Sequence, residues 1–99
     1  MRKIEEIKEK LRELEPHLKE RFGIKRIGIF GSYVRGEQKR KSDLDILVEF
    51  EDSADLSLLD FIGLENYLSE LLGVKVDLAE KSTLKPRIGK HILRELVKI

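Results

Sequence analysis

Gly31-Ser32-Tyr33-Val34-Arg35-Gly36 and, after a short polar loop, Ser42-Asp43-Leu44-Asp45 form the stretch that decides the fold. On its N-terminal side, Ile24 to Phe30 is a short apolar run, read as a strand that Gly31-Ser32 closes. On its C-terminal side, Leu44, Ile46, Val48 and Phe50 alternate with Asp45, Leu47 and Glu49. That is the period of a strand with one buried face. Between the two, Arg35-Gly36 through Ser42 is polar and reads as a loop with room for one helical turn.

Working outward, Ile4, Ile7, Leu11 and Leu14 recur at helical spacing among Glu, Lys and Arg. Pro16 is expected to end or kink this helix, with Leu18 and Phe22 adding a further turn or two before Gly23. Downstream, a linker from Glu51 to Leu56 leads to Ser57, which stands three before Asp60 in a capping-box pattern. The helix it opens runs to Gly73. Val74, Val76 and Leu78 alternate with Lys75 and Asp77, giving a third strand. Pro86 opens a final helix whose Ile88, Ile92 and Leu96 share a face. The order helix, strand, strand, helix, strand, helix predicts one α/β (α+β) domain over residues 1–99, with helices packed on a mixed sheet of three to four strands.

Composition narrows the function classes. A chain of 99 residues is near the small end of what folds around one core. Charged residues make up 39%, yet the net charge is only +1, which argues against a protein that coats nucleic acid by electrostatics. Direct nucleic-acid binding is therefore not expected. With no cysteine, disulfides and cysteine-based metal sites or nucleophiles are excluded. No apolar run approaches the ~18 residues that a membrane span needs, and the N-terminus lacks a signal-peptide core. The expected location is the cytoplasm, without membrane attachment.

The chemistry lies in the opening stretch. Asp43 and Asp45 are two apart at the start of a strand, so their side chains leave the same face. Two carboxylates held ~7 Å apart at their Cα atoms repel unless a cation sits between them. Hard cations such as Mg²⁺ favour this oxygen chemistry, completed by substrate phosphates. Asp77 lies on the polar face of the third strand; if that strand neighbours the second, three carboxylates converge. Two ions ~3.5–4 Å apart could then support in-line displacement at phosphorus. Gly31-Ser32 lets backbone N–H groups approach a phosphate, and Arg35, Lys39, Arg40 and Lys41 add positive charge nearby.

Each feature alone has an ordinary explanation. Gly-Ser after a strand is usually a turn, Asp-x-Asp a solvated edge, and Lys39 to Lys41 a solvated loop. His17 and His91 read as isolated surface residues, and Tyr33 and Tyr67 as half-buried packing. The conjunction, in order and across three strand ends, carries the weight.

That conjunction, Gly31-Ser32-x-x-Arg35-Gly36 … Ser42-Asp43-x-Asp45, resembles the signature of the DNA polymerase β-like nucleotidyltransferase superfamily. Within it the chain is similar to the minimal nucleotidyltransferases, the MNT antitoxins that pair with HEPN-domain toxins. The resemblance extends to Val74-Lys75-Val76-Asp77 and to Leu84-Lys85-Pro86-Arg87 … Ile92-Leu93-Arg94-Glu95. It implies that Asp43 and Asp45 bind Mg²⁺ and the triphosphate, that Gly31 and Ser32 hold phosphate oxygens, and that Ser42 belongs to the nucleotide site. It places Asp77 as the third carboxylate, a metal-site residue positioned to take the acceptor's proton. Arg35 matches the motif with two roles open, phosphate contact or bracing of the loop. Every motif position is intact, which implies an active enzyme.

The function so implied is transfer of AMP from ATP to a hydroxyl, a tyrosine, of a cognate HEPN ribonuclease toxin. Larger members of the superfamily carry a further domain that grips the acceptor; here a partner protein is expected to supply that grip. Two alternatives stand beside this reading. One is a non-catalytic antitoxin that covers its toxin; the other is a transferase acting on a small hydroxyl compound or an RNA end.

Overall fold

The computed structural model describes residues 4–99, so the first three residues of the expected 1–99 unit lie outside the described residues. The first helix, α1, runs from Ile4 to Phe22 without ending at Pro16, contrary to the expected stop. Interior proline costs about 3 kcal/mol through a lost hydrogen bond and a clash. Pro16 is exposed, so water can reach the carbonyl that it leaves without a donor. Beyond it, Leu18 is fully buried and Phe22 partly so. Burying such side chains is worth roughly 1.5–3 kcal/mol each, enough to carry the helix past the break.

Strand β1, Ile24–Phe30, follows directly and leads into the one-turn helix α2, Ser32–Arg35. Strand β2 spans Leu44–Phe50, and α3 spans Leu58–Leu72. The capping box at the start of α3 is formed in both directions. The Asp60 N–H donates to Ser57 Oγ at 3.1 Å, and the Ser57 N–H donates to Asp60 Oδ2 at 3.0 Å. Strand β3 covers Val76–Glu80, two residues later than the alternation suggested. A 3₁₀ turn at Lys81–Thr83 precedes α4, Pro86–Glu95, and the chain then adds a two-residue strand, β4, Val97–Lys98.

The sheet is mixed, in the order β3-β2-β1-β4. β1 pairs antiparallel with β2 and with β4, whereas β2 and β3 are parallel and need α3 as their crossover. Pleating puts Ile27, Ile29, Leu44, Ile46, Val48, Val76 and Leu78 on one face, in a single core with Ile7, Leu11 and Leu18 of α1 and Leu64, Leu68 and Leu72 of α3. The other face carries two rows set by register: Phe30, Asp45, Asp77, and then Gly28, Leu47, Ala79.

The end of α4 reaches that second face. A Cβ at Gly28 would come within 2.7 Å of the Leu96 side chain and 3.0 Å of the Val97 carbonyl oxygen, so glycine is what lets β4 close in. Of the expected apolar face of α4, Ile92 is buried and Leu96 half-buried, but Ile88 is 52% exposed. At the opposite edge α3 caps β3: the Val76 N–H donates to Ser69 Oγ and the Leu78 N–H to Glu65 Oε2, both at 2.9 Å. No helix among the described residues is long and apolar enough to cross a membrane.

Candidate active site

The register between β2 and β3 puts Asp45 directly opposite Asp77, with strands about 4.8 Å apart. The strand adjacency that the sequence left conditional is therefore present. Asp45 is half-buried and Asp77 exposed. Burial first, and then the charges of Asp77 and Asp43, push the Asp45 carboxyl up to about 6, against the opposing pull of Arg35. Asp43 stands just ahead of β2, in an open cleft of about 630 Å³ lined also by Tyr33, Ser42 and Lys75.

These carboxylates thus share one electrostatic neighbourhood. Among the described residues, no three acidic or histidine side chains close into a ready-made metal cage. Magnesium asks for less: it binds through one or two carboxylates plus substrate phosphates and keeps several waters. The donor set is hard oxygen throughout, and a cation would offset both the burial and the like-charge repulsion that raise the Asp45 pKa. The residues present fit such an ion.

Gly31 connects this cluster to the turn beyond β1. Its backbone, at φ 81° and ψ −153°, occupies a region open essentially to glycine. A Cβ there would overlap the Asp45 carboxylate. The Gly31 carbonyl accepts from the N–H groups of Val34 and Arg35, at 3.1 and 3.2 Å, and so starts α2. Ser32 follows as the first residue of that turn, half-buried and just beyond Phe30, which pairs with Asp45.

The remaining expected residues divide. Arg35 faces two carboxylates: its Nε donates to Glu37 Oε1 at 2.6 Å, and its Nη1 donates to Glu95 Oε2 at 2.9 Å and Oε1 at 3.1 Å. Of the two roles left open, the geometry displays the bracing one. Ser42 Oγ accepts from the Lys39 N–H at 2.8 Å and closes the loop that delivers Asp43. Lys39, Arg40 and Lys41 are exposed, and Tyr33 is buried in the core rather than half-exposed. Burial, reinforced by the Asp43 charge, raises the Tyr33 hydroxyl above its ordinary pKa.

Glu95, at the last turn of α4, is a residue that local pattern did not single out. Its Oε1 accepts from the Gly31 N–H at 3.0 Å in addition to Arg35. It lies 64 residues from Gly31, so no short motif contains both. The sequence signal was the Arg94-Glu95 ending, which carries no spacing rule of its own.

The nucleotidyltransferase domain pattern matches residues 4–99. The chain belongs to the nucleotidyltransferase family. The protein adenylyltransferase MntA of Thermococcus cleftensis is 56% identical over 94 residues, covering 95% of this chain and 93% of that one. A structure described as that of a minimal nucleotidyltransferase superposes with a TM-score of 0.80 at 39% identity, covering 99% of this chain and 97% of the other. A toxin–antitoxin crystal structure with AMP-PNP gives 0.74 at 25% identity, covering 91% of this chain and 69% of its match. The mixed four-stranded sheet of this nucleotidyltransferase is therefore the fold of the minimal members of the family.

Proposed function

We propose that this nucleotidyltransferase is a protein adenylyltransferase that moves AMP from ATP to a tyrosine hydroxyl of a HEPN ribonuclease partner and acts as its antitoxin. The observation that carries the reading is the Asp45–Asp77 pair, opposed across β2 and β3 beside the Gly31-Ser32 turn. It joins an acidic cluster suited to a divalent cation to a backbone turn suited to phosphate. The 56% identity to a named protein adenylyltransferase and the likeness to a toxin–antitoxin structure with AMP-PNP support it.

In this reading Asp43 and Asp45 hold Mg²⁺, with Asp77 at the margin of the metal site. When bound, the ion neutralises triphosphate charge and lowers the pKa of an acceptor hydroxyl nearby. Gly31 and Ser32 place the triphosphate, and the loop closed by Ser42 delivers Asp43 to it. Asp77, exposed on its strand, takes the proton of the acceptor hydroxyl. The acceptor oxygen bonds to the α-phosphorus as the bond to the departing pyrophosphate breaks. The exposed apolar side chains of α4, Ile88 and Leu93, mark the surface we assign to the partner.

The test is incubation of the chain with α-labelled ATP, Mg²⁺ and the HEPN-type protein encoded beside it. Label on a partner tyrosine supports the reading. Label only on a small hydroxyl compound or an RNA end, or protection against the toxin without any label, overturns it.

A further inference from the structure

We propose that Glu95 is a positioning residue for nucleotide transfer: from the end of α4 its carboxylate pins the Gly31 N–H and the Arg35 guanidinium, and so holds the Gly31-Ser32 turn against Asp45. This rests on the reading of that turn as the triphosphate cradle.

Three observations converge on it. Gly31 is wedged between two carboxylates, with Asp45 where its Cβ would be and Glu95 accepting from its N–H. Arg35, four residues further on, donates to both Glu95 oxygens, so one side chain grips both ends of α2. Glu95 is largely covered, its side chain 18% exposed. Burial pulls its carboxyl upward, but the Arg35 and Gly31 hydrogen bonds outweigh that and keep it below the usual carboxylate range. A charged acceptor with two donors forms stronger bonds than a neutral one.

The geometry also divides labour within the motif. With its N–H given to Glu95, Gly31 contributes backbone shape, and phosphate contact falls to Ser32. With Glu37 on Nε and Glu95 on Nη1, Arg35 serves as a strut from α2 to α4. Displacing a reacting group by about 1 Å can cost ~10²-fold in rate, which sets the scale expected when the strut is cut.

The experiment compares the parental chain with E95Q, E95A, R35A and the E95A/R35A double variant. For each, thermal melting, Mg·AMP-PNP affinity and single-turnover transfer to the partner are measured. E95Q keeps an amide oxygen for the Gly31 N–H but loses the ion pair, so we expect transfer to fall roughly tenfold with melting nearly unchanged. E95A should lose on the order of 10²-fold, mostly in transfer rate rather than in AMP-PNP affinity. The double variant should be no worse than the poorer single one, because the two residues act as one unit.

Transfer by E95A within threefold of the parental rate, or additive losses in the double variant, overturns the proposal. If E95A fails to fold, the comparison of E95Q with R35A and their combination carries the same test. Hydrogen exchange at the Gly31 amide, read by ¹H–¹⁵N NMR, is independent of any acceptor. It should be slow in the parental chain, intermediate in E95Q, which keeps an acceptor for that amide, and fast in E95A. Fast exchange in the parental chain overturns the strut even if transfer is seen. Slow exchange in a chain that transfers nothing leaves the strut standing and the proposed activity wrong.

Discussion

Asp45 and Asp77 oppose each other across parallel strands β2 and β3, so the closeness of their charges is set by backbone register rather than by rotamer choice. Burial of Asp45, with the repulsion of Asp77 and Asp43 added to it, has a measurable consequence in pH. The folded-state pKa of Asp45, about 6, lies above its ordinary value of 3.8. The native chain therefore holds a proton that the unfolded chain has released between those values. Metal-free stability should be unpenalised below pH 3.8, fall as pH rises toward 6, and stay reduced above it. Asp45→Asn should abolish that fall and raise Tm at pH 7, by about 4–8 °C for each kcal/mol of charge burial and repulsion relieved. Thermal melts in EDTA from pH 4 to 8 check this; a parental Tm that rises through this window contradicts the assignment.

Asp43→Ala and Asp45→Ala should each reduce transfer to background while leaving the fold intact, because removing a charge from a repelling cluster relieves strain. Chelation should reproduce both. Circular dichroism beside a labelled-ATP assay decides the matter, and full activity in EDTA or in either variant defeats the metal-dependent mechanism.

Asp77→Asn should retain Mg·ATP binding at least in part while losing transfer by ~10²–10⁴-fold, the usual contribution of a general base. A tyrosine acceptor with an ordinary pKa of ~10 ionises further as pH rises, so the variant should recover partly at high pH. Single-turnover rates across a pH series, with nucleotide affinity measured alongside, read this directly. Parental rates in the variant would make Asp77 structural.

Gly31→Ala and Gly63→Ala should move stability in opposite directions. At Gly31 the new Cβ meets the Asp45 carboxylate and the positive φ strains any L side chain, so the loss should exceed about 2 kcal/mol, with nucleotide binding lost as well. Gly63 is exposed within α3, and a Cβ there has nothing within 4 Å. Alanine should then stabilise the helix by roughly 0.5–1 kcal/mol without touching transfer. Urea unfolding of both variants makes the comparison.

What was legible in the sequence was what depends on near neighbours. The alternation from Leu44 to Phe50 and the Ser57–Asp60 box gave β2 and the start of α3 at their observed positions, since period and capping are local. Gly31-Ser32 and Asp43-x-Asp45 stood out as candidate site residues because their spacing is short. Pro16 misled because local propensity opposed tertiary burial of Leu18 and lost. The parallel pairing that aligns Asp45 with Asp77 depends on the long crossover through α3 that joins Phe50 to Val76, which no local period encodes. Strand β4 is only two residues long, too short for a period, and exists because Gly28 admits the Leu96–Val97 backbone. The contacts of Glu95 stayed hidden for the same reason: its partners lie 60 and 64 residues away.

The bonds from Ser69 and Glu65 to the outer N–H groups of β3 reach beyond the stability of this one chain. An open strand edge is a template on which another copy can zip up and seed insoluble fibres. On β3 two of those docking points are already spent on α3, and at the other margin β4 offers two residues, one of them an exposed lysine. Copies of this protein that meet at the β3 edge therefore find it partly occupied.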